Sequence, residues 1–191
     1  MENSTATQIL ETARHLVRSR GYSAFSYADI ANRVGIRKAS IHYHFPAKEA
    51  LVVMLVQRYR EDMAKARDRI AGSRANPDQQ MRRFAQLYRD GLDQKQICLC
   101  AMLAADFAVL PSAVQAEIRA YFQQTEVWLT YLLHRGQETQ GWSRQLATEQ
   151  EAAGIIAMLQ GAQLLARSFE DGVAAFERVV HPLLAAQYRA G

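Results

Sequence analysis

Between Tyr27 and Phe45 the chain reads YADIANRVGIRKASIHYHF, and this stretch constrains the fold more tightly than any other. Its spacing predicts two short helices meeting at Gly35. The first, about Tyr27 to Val34, sets Ile30, Ala31 and Val34 at i, i+1 and i+4 on one helical face. Gly35 reaches positive φ at no steric cost, as a tight turn between helices requires. The second, about Lys38 to His44, sends Ile41 back toward the first, and Ala31 is small where two steeply crossing helices leave little room. A small residue, a glycine four positions on and an aliphatic six further make the pattern of a helix-turn-helix, whose second helix is the one offered to DNA. The same spacing also suits a plain pair of core helices.

Charge separates these alternatives. The net charge over 191 residues is +4, and residues 1–60 hold nine Lys and Arg against four Asp and Glu, whereas the remainder holds fourteen against fifteen. The basic excess therefore lies wholly in the segment with the turn, as an electrostatic footprint for phosphate should. Hydrophobic residues make up 49 % of the chain, which is ample for a large core. No run approaches the roughly 18–20 apolar residues of a membrane span, and the polar start MENSTATQIL lacks a signal-peptide core. A cytoplasmic protein with no membrane partner is expected. Only Cys98 and Cys100 occur, and one intervening residue turns them about 200° apart on a helix, which excludes a disulfide framework.

Taken in order, the periodicities predict helices throughout and no strand. A first helix starts at Ser4 or Thr5 and ends at Gly21, with Ile9, Ala13, Leu16 and Val17 on its buried stripe. Ser26 caps the next, with Asp29 as acidic partner. Beyond Pro46 a long fourth helix, Lys48 to Gly72, carries Leu51, Val52, Leu55, Tyr59, Met63, Ala66 and Ile70 as a rigid connecting rod. Further helices are expected at about 77–93, 97–109, 112–139, 148–169 and 172–188. The fold class is all-α: an N-terminal three-helix helix-turn-helix domain over residues 1–50 and a larger C-terminal helical domain over 51–191. The chain has no GxxxxGK[ST], HExxH or GxSxG motif, and its histidines at 15, 42, 44, 134 and 181 show no ligand spacing. No catalytic residue, metal or cofactor is expected.

The stretch SYADIANRVGIRKASIHYHFPAKEAL (26–51), after a short first helix and before five or more further helices, resembles the TetR family of bacterial transcriptional regulators. The strongest likeness is ASIHYHFPAKEAL (39–51) against a family pattern of roughly GTLYHHFxSKEAL. The sequence likeness covers about residues 6–55; beyond them helix order and length agree. It implies a homodimer on a palindromic double-stranded operator, each subunit laying its third helix in a major groove. The residues it points to are Tyr27, Ala28, Arg37, Lys38, Ala39, Ser40, His42, Tyr43, His44 and Lys48. Ser40 and the aromatic-polar cluster would reach bases and phosphates, Arg37 a phosphate, and Lys48 the backbone from a helix N-terminus. The chain departs from the family in having His42 for Tyr and Ala39 for Gly.

By the same resemblance the last two helices would form a four-helix interface with those of a second subunit. Ile155, Ile156, Leu159, Ala162, Phe176, Val180, Leu183 and Leu184 are the expected interface residues. Small residues in rows there, with Gly154 and Gly161 inside a helix at about 1 kcal/mol each, suggest close backbone approach. A pocket for a small lipophilic or aromatic effector would be lined by Phe84, Tyr88, Cys98, Met102, Asp106, Phe107, Trp128, Tyr131 and Gln163. Its filling would shift the rod and release a repressor from its operator. Two alternatives remain open: a redox or electrophile sensor using Cys98 and Cys100 near a helix N-terminus, and a helical interaction adaptor that does not bind DNA.

Overall fold

Residues 4–142 and 146–187 are described by a computed structural model, and the regular secondary structure among them is entirely helical. Helix α1 (Thr5–Arg20) opens on Ser4, whose hydroxyl accepts the Thr7 amide at 3.3 Å, and stops at Gly21 with φ 86°. Helix α2 (Tyr27–Val34) begins with a reciprocal capping box. Ser26 Oγ accepts the Asp29 amide, and the Asp29 carboxylate accepts the Ser26 amide at 2.8 Å and hydroxyl at 2.6 Å. Those bonds hold the Asp29 carboxyl below the usual carboxylate range. Gly35, left-handed at φ 76° and ψ 32°, ends α2, and α3 (Lys38–His44) follows at once.

Helix α4 (Lys48–Ala71) runs 24 residues without Gly or Pro, about 36 Å at 1.5 Å per residue. Helix α5 (Pro77–Arg89) has Asn76 and Gln79 in a second capping box and Pro77 at its first position. It stops earlier than the pattern predicts; a 3-10 turn over Leu92–Gln94 follows, closed by Lys95 at φ 54°. Helix α6 is also shorter than predicted, Leu99–Ala105, with a second 3-10 turn over Phe107–Val109. The cause is tertiary: the Asp106 side chain is drawn to another loop, and Gln115 Nε2 donates to the freed carbonyls of Phe107 and Leu110. Helices α7 (Ser112–Gln140), α8 (Thr148–Ala166) and α9 (Gly172–Gln187) complete the chain. The loop predicted after Gly141 and the helix end at Tyr188 lie partly outside the described residues.

The helices sort into two compact units, and neither is continuous in sequence. The first joins the chain up to Asp62 with Leu99–Tyr121. Its core is Ile9, Ala13, Leu16 and Val17 of α1, Ile30 and Ala31 of α2, Ile41, then Leu51, Val52 and Leu55 of α4 and Leu103 of α6. Ion pairs Arg14–Asp62 and Arg60–Glu117 tie its surface together. The second joins Met63–Cys98 with the chain from Phe122 onward. There α8 and α9 pack along each other, and α5 packs on both. The first unit thus runs past residue 50, through α4 to Asp62, and takes in α6, which packs on α1, and the start of α7. No helix among the described residues is long and apolar enough to cross a membrane.

Candidate nucleic-acid interface

Helix α3 has seven residues, too few to persist without tertiary support. Its pose is set from beneath. Ile41 and Phe45 are buried, and the buried Tyr27 donates its hydroxyl to the Phe45 carbonyl at 2.8 Å. Burial, with Tyr22 nearby, pushes the Tyr27 phenol up to about 12, so it remains a donor at neutral pH. Tyr27, expected to touch DNA, is instead the clasp that closes the end of α3 onto the start of α2. Val34, expected in the core, is only half-buried.

The outward face of α3 is free of protein contacts that would bury it. Arg37, Lys38, Ala39, His42, Tyr43 and His44 are exposed and Ser40 is half-buried; Ala28 is exposed at the start of α2. Tyr43 stands 85 % exposed, its ring edge-on to His44 at 5.2 Å. His42 packs edge-on against Tyr27 at 4.8 Å, with Nδ1 3.3 Å from the Pro46 carbonyl. That contact draws His42 toward the clasp rather than outward. Arg33, which the sequence reading passed over, is exposed at the end of α2; its place one turn before Arg37's loop was a usable signal.

Lys48 behaves differently from expectation. Its Nζ donates to the Tyr22 and Phe25 carbonyls, both at 2.7 Å, and lies 4.3 and 4.2 Å from the centroids of those rings. Burial pushes its pKa down, opposed by the Asp106 and Asp29 carboxylates. An ammonium has three donors, so at most one is left for phosphate. Its main work here is to staple the α1–α2 loop. Asp106 holds the same loop from the other side: Oδ2 accepts the Tyr22 amide at 3.0 Å and the Ser23 amide at 3.3 Å. Asp106 therefore holds the frame of the interface, a role that its apolar sequence context concealed.

The fold built on this frame has close counterparts. The family model for bacterial regulatory proteins of the tetR family matches residues 9–55. A transcriptional regulator of the TetR family from Agrobacterium tumefaciens superposes with a TM-score of 0.90 at 36 % identity, over 96 % of this chain and 97 % of that one. The chain belongs to the TetR family. A TetR transcriptional regulator from Legionella pneumophila gives 0.89 at 30 % identity, over 99 % and 100 % of the two chains. The HTH-type transcriptional repressor DhaR of Mycobacterium sp. (strain GP1) is 26 % identical over 157 residues, 82 % of this chain and 79 % of that protein. As a TetR-family member this is a DNA-binding transcriptional regulator.

The residues expected to line an effector pocket are divided between the two units. Met102, Asp106 and Phe107 fall in the first unit, while Phe84, Tyr88, Cys98, Trp128, Tyr131 and Gln163 fall in the second. Phe84 lies tilted against Trp128 at 5.0 Å and edge-on to Tyr88 at 5.3 Å. Gln163 is partnered at both amide atoms: Nε2 donates to the Tyr88 carbonyl and Oε1 accepts the Cys98 amide. Phe107 lies under Arg119 at 5.0 Å. Tyr131 is 60 % exposed and lines no interior. Cys98 precedes α6 rather than opening it, and both thiols are buried, so thiol sensing has no accessible sulfur.

The expected dimer residues need a larger correction. Ile155, Ile156, Leu159, Ala162, Phe176, Val180 and Leu184 are buried within the single subunit, where α8 and α9 face each other; Leu183 alone of the eight is exposed. Ala152, Ala162 and Ala166 are buried with the large aliphatics, while another face of α8 points out. Ala153, Gly154, Ala157, Leu164 and Leu165 are exposed and Gly161 is half-buried. At Gly154 and Gly161 a Cβ would meet no atom within 4 Å.

Proposed function

We propose that the protein is a repressor that binds a palindromic operator as a homodimer and releases it when a small molecule binds the second unit. The observation that carries this reading is α3, locked from below by Ile41 and the Tyr27–Phe45 bond while Lys38, Ala39 and Tyr43 stand outward. A two-fold pair of such helices spans successive major grooves when they sit about 34–36 Å apart. The outward row Ala153, Gly154, Ala157, Gly161 and Leu164 of α8 supports pairing of two subunits, because small side chains let helices approach closely. The effector's effect on DNA is bound by reciprocity: whatever factor it takes from operator affinity, the operator takes from its own.

Fluorescence anisotropy with promoter DNA flanking the protein's own gene tests the reading. Binding should saturate at two chains per site and weaken steeply with salt, by about 0.9 log units per log unit of salt for each phosphate neutralised. Sedimentation should give a dimer, and Leu164→Glu should give a monomer with weakened operator binding. A wild-type monomer that binds all DNA alike with no preference for the promoter would end the proposal.

A further inference from the structure

Arg67 of α4 is 3 % exposed, the one buried cation among the described residues. Its Nη1 donates to Thr125 Oγ1 of α7 at 3.2 Å, a neutral acceptor, and both residues belong to the second unit. No carboxylate among the described residues pairs with it. Arg14, Arg60, Arg82 and Arg89 each have a carboxylate partner, although all four reach water, which would solvate them at little cost. The arginine that most needs a counter-charge has none.

Burying a charge without an opposite charge is among the costliest arrangements a fold can keep. A guanidinium carries five donors in a planar fork that fits a carboxylate with two parallel bonds. One donor of Arg67 is used. Its neighbours on α4, Ala66 and Ile70, are apolar and buried. One turn beyond Thr125 on α7 stands Trp128, tilted against Phe84. The amide of Gln160 on α8, sealed from solvent with neither atom partnered, is a second polar group left incomplete in the same unit.

We infer that Arg67 is an anion receptor and that the effector is a small organic acid, a carboxylate on an apolar or aromatic body. This rests on the effector-release reading above and narrows it from a lipophilic molecule to an anionic one. The carboxylate pairs with the free edge of the guanidinium, its apolar body lies against the aromatic wall, and the buried charge is neutralised only when the ligand is present. The competing role for Arg67 is structural, a tie from α4 to Thr125, and the two predict opposite effects of removing it.

The test uses the full chain, wild type, Arg67→Met and Arg67→Lys, with benzoate and octanoate against the neutral benzamide and octanamide. Ligand-free Arg67→Met should melt at or above the wild-type temperature and bind operator within twofold. The carboxylates should raise the wild-type melting temperature by about 5–10 °C at a hundredfold excess over Kd, and the amides should not. Arg67→Met should lose that rise, and Arg67→Lys should bind the carboxylates at least tenfold more weakly. A ligand-free Arg67→Met that melts several degrees lower, or carboxylates no better than amides on the wild type, overturns the inference. An Arg67-dependent carboxylate shift with the operator still held leaves the anion site standing and removes the release mechanism. Operator release by the amides from wild type and Arg67→Met alike does the reverse.

Discussion

Two glycines flank the reading helices, and replacing each with alanine should cost very different amounts. At Gly35 (φ 76°, ψ 32°) the backbone is left-handed and a Cβ would meet nothing within 4 Å. The cost is therefore conformational, about 1–2 kcal/mol. A stiffer unfolded chain returns about 0.4–1 kcal/mol of it, leaving a net loss of about 1 kcal/mol. Gly21 (φ 86°, ψ −179°) lies outside the left-handed basin, in a region populated almost solely by glycine, at about 1–3 kcal/mol. Its Cβ would also sit 3.3 Å from Asp106 Oδ2 and 3.6 Å from Met102 Cε. That oxygen already accepts the Tyr22 and Ser23 amides, and losing one such charged bond adds about 1.5–3 kcal/mol. After the same return from the unfolded chain, Gly21→Ala should thus lose about 2–5 kcal/mol, a large share of the 5–15 kcal/mol typical of a folded protein. Urea titrations of the two variants and the wild type, compared by midpoint at common slope, would read both. In an Asp106→Ala background Gly21→Ala should cost less, since the pair shares one contact. Equal losses at the two glycines, or strict additivity with Asp106→Ala, would refute the reasoning.

Tyr27→Phe should cost about 1–3 kcal/mol by orphaning the buried Phe45 carbonyl and should loosen operator binding. Because the folded-state phenol titrates at about 12 against 10.0 in the unfolded chain, its contribution is complete below pH 10 and is lost as pH rises through 12; alkaline unfolding of the wild type should be steeper than that of Tyr27→Phe. Tyr43→Ala should weaken operator binding tenfold or more with stability changed by less than about 0.5 kcal/mol, whereas Ile41→Ala should lose about 2–5 kcal/mol; thermal melts beside anisotropy separate the two. Gly136→Ala places a Cβ 2.1 Å from the Trp142 ring, so it should cost about 1–3 kcal/mol and shift tryptophan emission to the red.

What was legible in the sequence was what neighbours in sequence determine. The Ser26–Asp29 capping box, the left-handed Gly35 and the inward Ile41 each depend on residues within one or two turns, and all appear as read. What was not legible depends on partners far along the chain. Asp106 looked like a polar anchor in an apolar run, but its bonds reach back more than eighty residues to Tyr22 and Ser23. Lys48 looked like a phosphate contact, and two carbonyls of the α1–α2 loop already occupy it. On α8 both faces carry apolar residues, so periodicity could not say which faces α9 and which faces out. Arg67 sits beside the stripe Tyr59, Met63, Ala66, Ile70, so its charge hides its burial; its place four residues after Met63 and three before Ile70 is the sequence signal for it.

The discontinuity of the first unit has a consequence for how such a regulator can be cut and recombined. The helix-turn-helix leans on Asp106 and on the packing of α6 against α1, yet those residues arrive only after the chain has left the unit along α4 and returned. A graft of residues 1–50 onto a foreign sensor therefore inherits the letters that read DNA without the brace that holds them. Exchange between relatives should succeed when α6 travels with the N-terminal helices, and chimeras joined within α4 alone should inherit the operator preference of one parent with weakened grip.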